Sequence, residues 1–148
     1  MNILVSRCLL GEPCRYDGQS KPVEELLYLV AQGNVLVPVC PEEDGGLPTP
    51  RPPAEIQPDG RVVNRQGVDV TAEYRKGAQR ALETAREHGC AVAVLKEKSP
   101  SCGHCRVYDG SFTGTLKDGQ GVTAELLTRN GIRVLGESQL RELLEKAR

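Results

Sequence analysis

The sequence predicts an α/β fold: one Rossmann-like domain spanning residues 1–148, with a parallel sheet of about four strands, helices on both faces and a ligand site at the strand carboxyl ends. Three observations predict it. Short apolar runs alternate along the chain with amphipathic helix-forming stretches, an order that implies right-handed crossovers and a covered parallel sheet. The apolar runs have the character of strands buried on both faces. Three of them lead into loops that carry Cys8, Cys40 and Cys102, so one topology would collect three thiols at one sheet edge.

The opening "NILVS", residues 2–6, suits a buried parallel strand and leads through Cys8 into "LGEPCRYDGQSKP", a loop full of turn formers. Residues 22–32, "PVEELLYLVAQ", place proline near a helix start, carry Leu26, Leu27, Leu29 and Val30, and stop at Gly33. "VLVPVC", residues 35–40, is the second strand candidate and ends in Cys40. Beyond it, "PEEDGGLPTPRPPAEI" is so rich in proline that no regular structure is expected. Residues 71–88 carry the strongest helical pattern, with Ala78, Leu82 and Ala85 on one face and Gly89 to close. "CAVAVLK", residues 90–96, is a third strand, and the loop after it holds Cys102. A helix over 122–130, a short strand over 132–136 and an amphipathic helix over 138–147 complete the alternation.

At 148 residues the chain is of single-domain size and buries roughly 70% of the surface its unfolded form exposes, so it needs no disulfide staples. With 39% hydrophobic and 26% charged residues it has an ordinary globular composition, and its net charge of -1 offers little to a phosphate backbone or an anionic membrane. Only 3% of residues are aromatic, which argues against a base-stacking surface, so nucleic acid is not an expected partner. No apolar run approaches the ~20 residues of a membrane span and the N-terminus lacks a signal-peptide pattern; a cytoplasmic location without membrane association is expected. Six cysteines in a reducing compartment point to metal ligands, catalytic thiols or small buried hydrophobes. No G-x-G-x-x-G follows the first strand and no Walker sequence occurs, so nothing supports dinucleotide or ATP binding.

Cys90 opens an apolar strand and is expected to act as a small hydrophobe. Cys14 and Cys105 lie in loops ahead of Tyr-Asp-Gly turns, where a ligand, a reactive thiol and an incidental residue all fit. Cys8, Cys40 and Cys102 share the strand-exit context and are bordered by Gly11, Pro41, Pro100 and Gly103, residues that shape a backbone. Thiolates at a sheet edge suit zinc or an iron–sulfur cluster. A zinc ribbon needs two close C-x-x-C pairs, and only Cys102 to Cys105 forms one. Three thiolates without an evident fourth suggest a metal centre with an open position, as in catalytic sites, with Lys96, Lys98 or Arg51 helping to offset the charge. Glu42, two residues after Cys40, is placed to face a bound ligand and move protons, the alternative being a solvated loop charge. Ser99 and Ser101 flank Pro100 and could hydrogen-bond a substrate or cap a turn. His88 closes a helix, and His104 is a loop residue with no partner in view.

The stretches "CLLGEPCRYDG", "PVCPEEDGGLPTPRPPAEI" and "KEKSPSCG", followed by "YDGSFTG" and "GVTAELL", resemble the DUF523 family, associated with thiouracil desulfidases, in register over nearly the entire chain. The resemblance implies a [4Fe-4S] cluster held by three cysteines, with one iron free to take the substrate's sulfur. Matched by motif, the ligands fall on Cys8, Cys40 and Cys102 and the catalytic positions on Glu42 and Ser101. Asp17, Arg51 and Ser99 are further expected to contact substrate, and Cys14 is the alternative to Cys8 as a ligand. The implied reaction is hydrolytic and without net redox change: water attacks a polarised thiocarbonyl, Glu42 moves protons, and Ser101 orients or protonates the intermediate. Uracil and hydrogen sulfide would result. The expected substrate is a small thiolated pyrimidine, because the single domain has no basic surplus for RNA. Two other classes fit the same cysteines: a non-catalytic iron–sulfur sensor or accessory module, and a cytosolic thiol-redox protein using Cys102 and Cys105. Against the second, Gly103 and "RVYDGSFTG" make that segment a loop, whereas a redox C-x-x-C typically opens a helix.

Overall fold

Ile3, Leu4 and Val5 expose no surface, and the strand they form lies inside a parallel sheet, as a run apolar on both faces requires. The computed structural model describes residues 1–20 and 22–146. In chain order the elements are β1 (Asn2–Ser6), α1 (Glu25–Ala31), β2 (Val35–Val39), α2 (Pro41–Asp44), β3 (Ala54–Ile56), β4 (Val62–Asn64), α3 (Thr71–Glu87), β5 (Val92–Leu95), β6 (Arg106–Tyr108), β7 (Leu116–Asp118), α4 (Val122–Arg129), β8 (Arg133–Gly136) and α5 (Leu140–Lys146).

The sheet runs β2-β1-β5-β8, parallel throughout, with Ile3 opposite Leu36 on one side and Val92 on the other. Alternation along β1 and β5 divides the core into two layers. Ile3, Val5, Val92 and Val94 join Leu26 and Leu29 of α1 and Leu140 and Leu143 of α5; Leu4, Ala93 and Leu95 join Leu82 and Ala85 of α3 and Leu127 of α4. Each fully buried aliphatic side chain contributes about 1.5–3 kcal/mol. Because β2 and β5 lie on opposite sides of β1, the strand order reverses beside β1 and opens a crevice at the carboxyl ends, where such sheets bind ligands. Among the described residues no helix is long and apolar enough to cross a membrane.

Two stretches expected to be irregular are ordered. Within the proline-rich segment, Pro41 starts α2, since a helix makes no use of the first-turn N–H that proline lacks, and β3 pairs antiparallel with β4. The segment after Gly103 forms β6, which pairs with β7. Strands of three residues are too short to show a period. The first helix begins at Glu25 rather than residue 22, and position 147, the end of the last expected helix, lies outside the described residues.

Helix α2 is seated on α3 through two glycines. A Cβ at Gly77 would stand 1.8 Å from the Pro41 carbonyl oxygen, and one at Gly45 would stand 2.0 Å from that of Glu73. Gly→Ala inside a helix ordinarily stabilises by about 0.5–1 kcal/mol. Here the sign reverses: Gly77→Ala is expected to destabilise by about 1–3 kcal/mol through overpacking, read as a lower urea midpoint at unchanged m. An unchanged or raised midpoint would show that α2 is not held by this contact.

Candidate active site

At the carboxyl ends of β1, β2 and β5 lies a cavity of about 380 Å³ lined by Cys8, Cys14, Cys40 and Cys102 together with Glu42 and Ser99. Local chain geometry delivers each thiol. Cys8 sits in a 3₁₀ turn, Arg7–Leu10, that follows β1 and ends at Gly11 with φ 98, a left-handed conformation glycine adopts without strain. Cys40 caps α2, and its N–H donates to Asp44 Oδ2 at 3.1 Å. The N–H groups of Ser101 and Cys102 both donate to Ser99 Oγ at 3.1 Å, so Ser99 shapes the loop that presents Cys102. Cys14 arrives from the loop before α1: Arg51 Nη2 donates to its carbonyl at 3.0 Å, and the Cys40 thiol approaches the same oxygen at 3.8 Å.

Crowding and burial govern the protonation of Cys14, Cys40 and Cys102. The Cys40 thiol is held well above its ordinary value by its hydrogen bond with Cys14, then by burial. For Cys14, the hydrogen bond with Cys40 acts downward, but the one with Cys8 and burial outweigh it, and the thiol is pushed up to about 11. Burial pushes Cys102 up to about 12, against lowering contacts from Ser6 and Ser101. Thiols so placed deprotonate together only beside a strongly positive centre, and a bound metal supplies one. Among the described residues no three His, Cys, Asp or Glu side chains are grouped to hold a single ion. Thiols distributed round one cavity instead fit a cubane cluster, whose iron atoms are ligated separately.

Glu42 is fixed by three donors. Its Oε1 accepts from Arg51 Nε at 3.0 Å and from the Tyr74 hydroxyl at 2.8 Å, while Oε2 receives only Ser99 Oγ, at 3.4 Å. Tyr74, fully enclosed on α3, has its own hydroxyl raised well above the usual phenol value by burial and by the Glu42 charge. Arg51 also donates to Pro48 O at 3.1 Å and Thr49 Oγ1 at 2.8 Å, so its guanidinium ties the Glu42 and Cys14 segments together. Lys96 lines the cavity but pairs with Glu137 at 3.3 Å; Arg51 and Lys96 are therefore already engaged, and Lys98 is the remaining expected cation on the wall.

The other expected positions divide. Ser99 is on the cavity wall, whereas Ser101 exposes no surface and shares its hydroxyl with Thr123 Oγ1 at 2.9 Å, behind Cys102. Asp17 is at the surface, where Oδ1 accepts from Gln19 N–H at 3.0 Å and Oδ2 lies 3.8 Å from Arg15. Cys90 is buried between α3 and the sheet, and Cys105 is exposed and off the cavity wall. Sequence reasoning missed Tyr74, Glu55, Arg65 and Phe112. Only Tyr74 left a signal, since it lies on the same helical face as Ala78 and Ala81, and a buried tyrosine needs a partner for its hydroxyl.

The 2-thiouracil desulfurase family model matches residues 3–139. YbbK, an uncharacterised protein of Bacillus subtilis (strain 168), is 41% identical over 151 residues, covering 96% of this chain and 99% of its own. The solved structure of the [4Fe-4S]-dependent thiouracil desulfidase TudS superimposes with a TM-score of 0.91 at 51% identity, over 98% of this chain and 96% of that one.

Proposed function

The chain belongs to the 2-thiouracil desulfurase family and is an iron–sulfur enzyme of that activity, and we propose that Cys8, Cys40 and Cys102 hold its [4Fe-4S] cluster while Glu42 carries the proton transfers of a hydrolytic desulfuration. What supports the ligand set is the convergence of three strand-exit thiols on one cavity beside a carboxylate held in place by Arg51 and Tyr74. A cluster bound by three protein thiolates supplies a Lewis-acidic iron with affinity for the thiocarbonyl sulfur.

The residues of the chain do the rest. The overall change is thiouracil plus water to uracil plus hydrogen sulfide, balanced without an electron donor. The two Glu42 oxygens are not equivalent: Oε1 is held by two donors, so Oε2 is the oxygen that takes a proton from the attacking water and returns it to the departing sulfur or a ring nitrogen. Ser99 orients that oxygen. Ser101 acts from behind Cys102, its hydroxyl paired with Thr123 Oγ1. The substrate is a small thiolated pyrimidine, as free base or nucleoside. Anaerobic reconstitution tests the proposal. About four iron and four labile sulfide per chain, followed by sulfide release from 2- or 4-thiouracil, are expected; a cluster without sulfide release would make the protein a sensor or accessory module, and absence of iron would overturn the ligand set.

A further inference from the structure

The cavity has a second wall that the chemistry above does not use. Glu55, Arg65, Tyr108 and Phe112 contribute to it from the β3–β4 hairpin and its exit and from the β6–β7 hairpin. Phe112 is the one phenylalanine of the chain, and its φ of 56 lies in the left-handed region, where a bulky residue is a genuine outlier. Strained backbone of this kind persists only where its surroundings over-determine it. They do so here. The buried Glu55 carboxylate accepts the Gly110 N–H at 2.9 Å and the Phe112 N–H at 3.1 Å through the same oxygen. Gln57 Nε2 donates to Gly110 O at 3.2 Å, and Arg65 Nη2 donates to Phe112 O at 3.5 Å with its guanidinium 5.9 Å from the ring centroid. Gly110 itself, at φ 98, admits no side chain, because a Cβ would stand 2.9 Å from Ile56 O.

A carboxylate buried on one hairpin thus fixes, through two backbone N–H groups, a strained aromatic residue of the other hairpin on the wall of the cavity. On the desulfidase reading the ligand there is a flat heterocycle, which an apolar ring recognises by its face whatever its substituents. We propose that Phe112 is the stacking surface for the pyrimidine ring, a substrate-binding residue, and that Glu55 is the positioning residue that holds it in place. Stacking acts on the ring equally before and during the reaction, so its loss weakens binding and leaves the chemical step alone.

The test is steady-state sulfide release from 2-thiouracil by the reconstituted holoenzyme, with calorimetric titration of uracil as a readout independent of turnover. Phe112→Ala is expected to raise both KM and the uracil Kd roughly 5- to 150-fold, the span of base–aromatic stacking, with kcat and iron content near those of the unaltered protein. Phe112→Tyr is expected to bind like the unaltered protein. Glu55→Ala is expected to raise KM and Kd as Phe112→Ala does, and Glu55→Gln, which keeps one acceptor oxygen for the Gly110 and Phe112 N–H groups, to fall between it and the unaltered protein; a Glu55→Ala variant that binds as the unaltered protein does overturns the positioning role. Unchanged KM and Kd in Phe112→Ala, or a fall confined to kcat, overturns the stacking role. Should Phe112→Ala retain less iron, Phe112→Leu, with apolar bulk but no aromatic face, replaces it; a Leu variant that binds as the unaltered protein does overturns the role equally. Failure of the unaltered holoenzyme to release sulfide from any thiouracil strikes the desulfidase reading, a result distinct from a working enzyme indifferent to Phe112.

Discussion

Cys40→Ala is expected to bring bound iron from about four per chain to near zero, and Cys8→Ala and Cys102→Ala to do the same. Each removes one of the three thiolates proposed to hold the cluster, and among the described residues no histidine lines the cavity to replace it. Anaerobic iron and labile-sulfide determination after reconstitution reads the effect directly. Two further alanines make the result specific. Cys105, exposed and off the cavity wall, is expected to leave iron content unchanged when substituted. Cys14 is the demanding comparison, because its carbonyl receives the Cys40 thiol and it lines the same cavity as Cys8 and Cys40. Cys14→Ala is expected to keep the cluster, Cys14 supporting the ligands from alongside. Iron lost from Cys14→Ala but retained in Cys8→Ala would move the first ligand to Cys14; iron lost from Cys105→Ala would refute the three-strand site altogether.

Glu42→Gln is expected to keep the cluster yet lower kcat by ~100-fold or more, the range for removing a general acid–base. Glutamine preserves the shape: its oxygen still accepts from Arg51 Nε and the Tyr74 hydroxyl, the two donors that hold Oε1. What it removes is the proton-accepting oxygen that faces Ser99. Iron content equal to that of the unaltered protein, measured on the same preparation as the rate, separates lost chemistry from a lost cofactor. A kcat within a few fold of the original would take Glu42 out of the proton transfers and leave it a structural partner of Arg51.

How far the residues alone reveal this molecule depends on the range over which each signal acts. The sheet was legible because apolar runs and helical spacing are local, and because the handedness of crossovers converts their order along the chain into a parallel sheet with one ligand-binding edge. The strands at 2–6, 35–39 and 92–95 are therefore expected within a residue or two, and the order of elements alone assigns Cys8, Cys40 and Cys102 to one edge. The hairpins β3–β4 and β6–β7 are not, since three-residue strands carry no period and gain their order from each other and from Glu55.

Within the site the same division holds. The sequence by itself determined which residue types stand at the strand exits, and so the thiol chemistry. Only the tertiary structure decided that Cys14 joins Cys8 and Cys40, drawn in by Arg51 across 37 positions; that Tyr74 reaches Glu42 across 32; that Asp17 stays at the surface; and that Ser101 lies behind Cys102 rather than on the cavity wall. Hydrogen bonds between segments so far apart leave no periodic trace in the chain. They form where the packing of helices and loops on the sheet happens to bring donor and acceptor together, and that packing is a property of the whole fold.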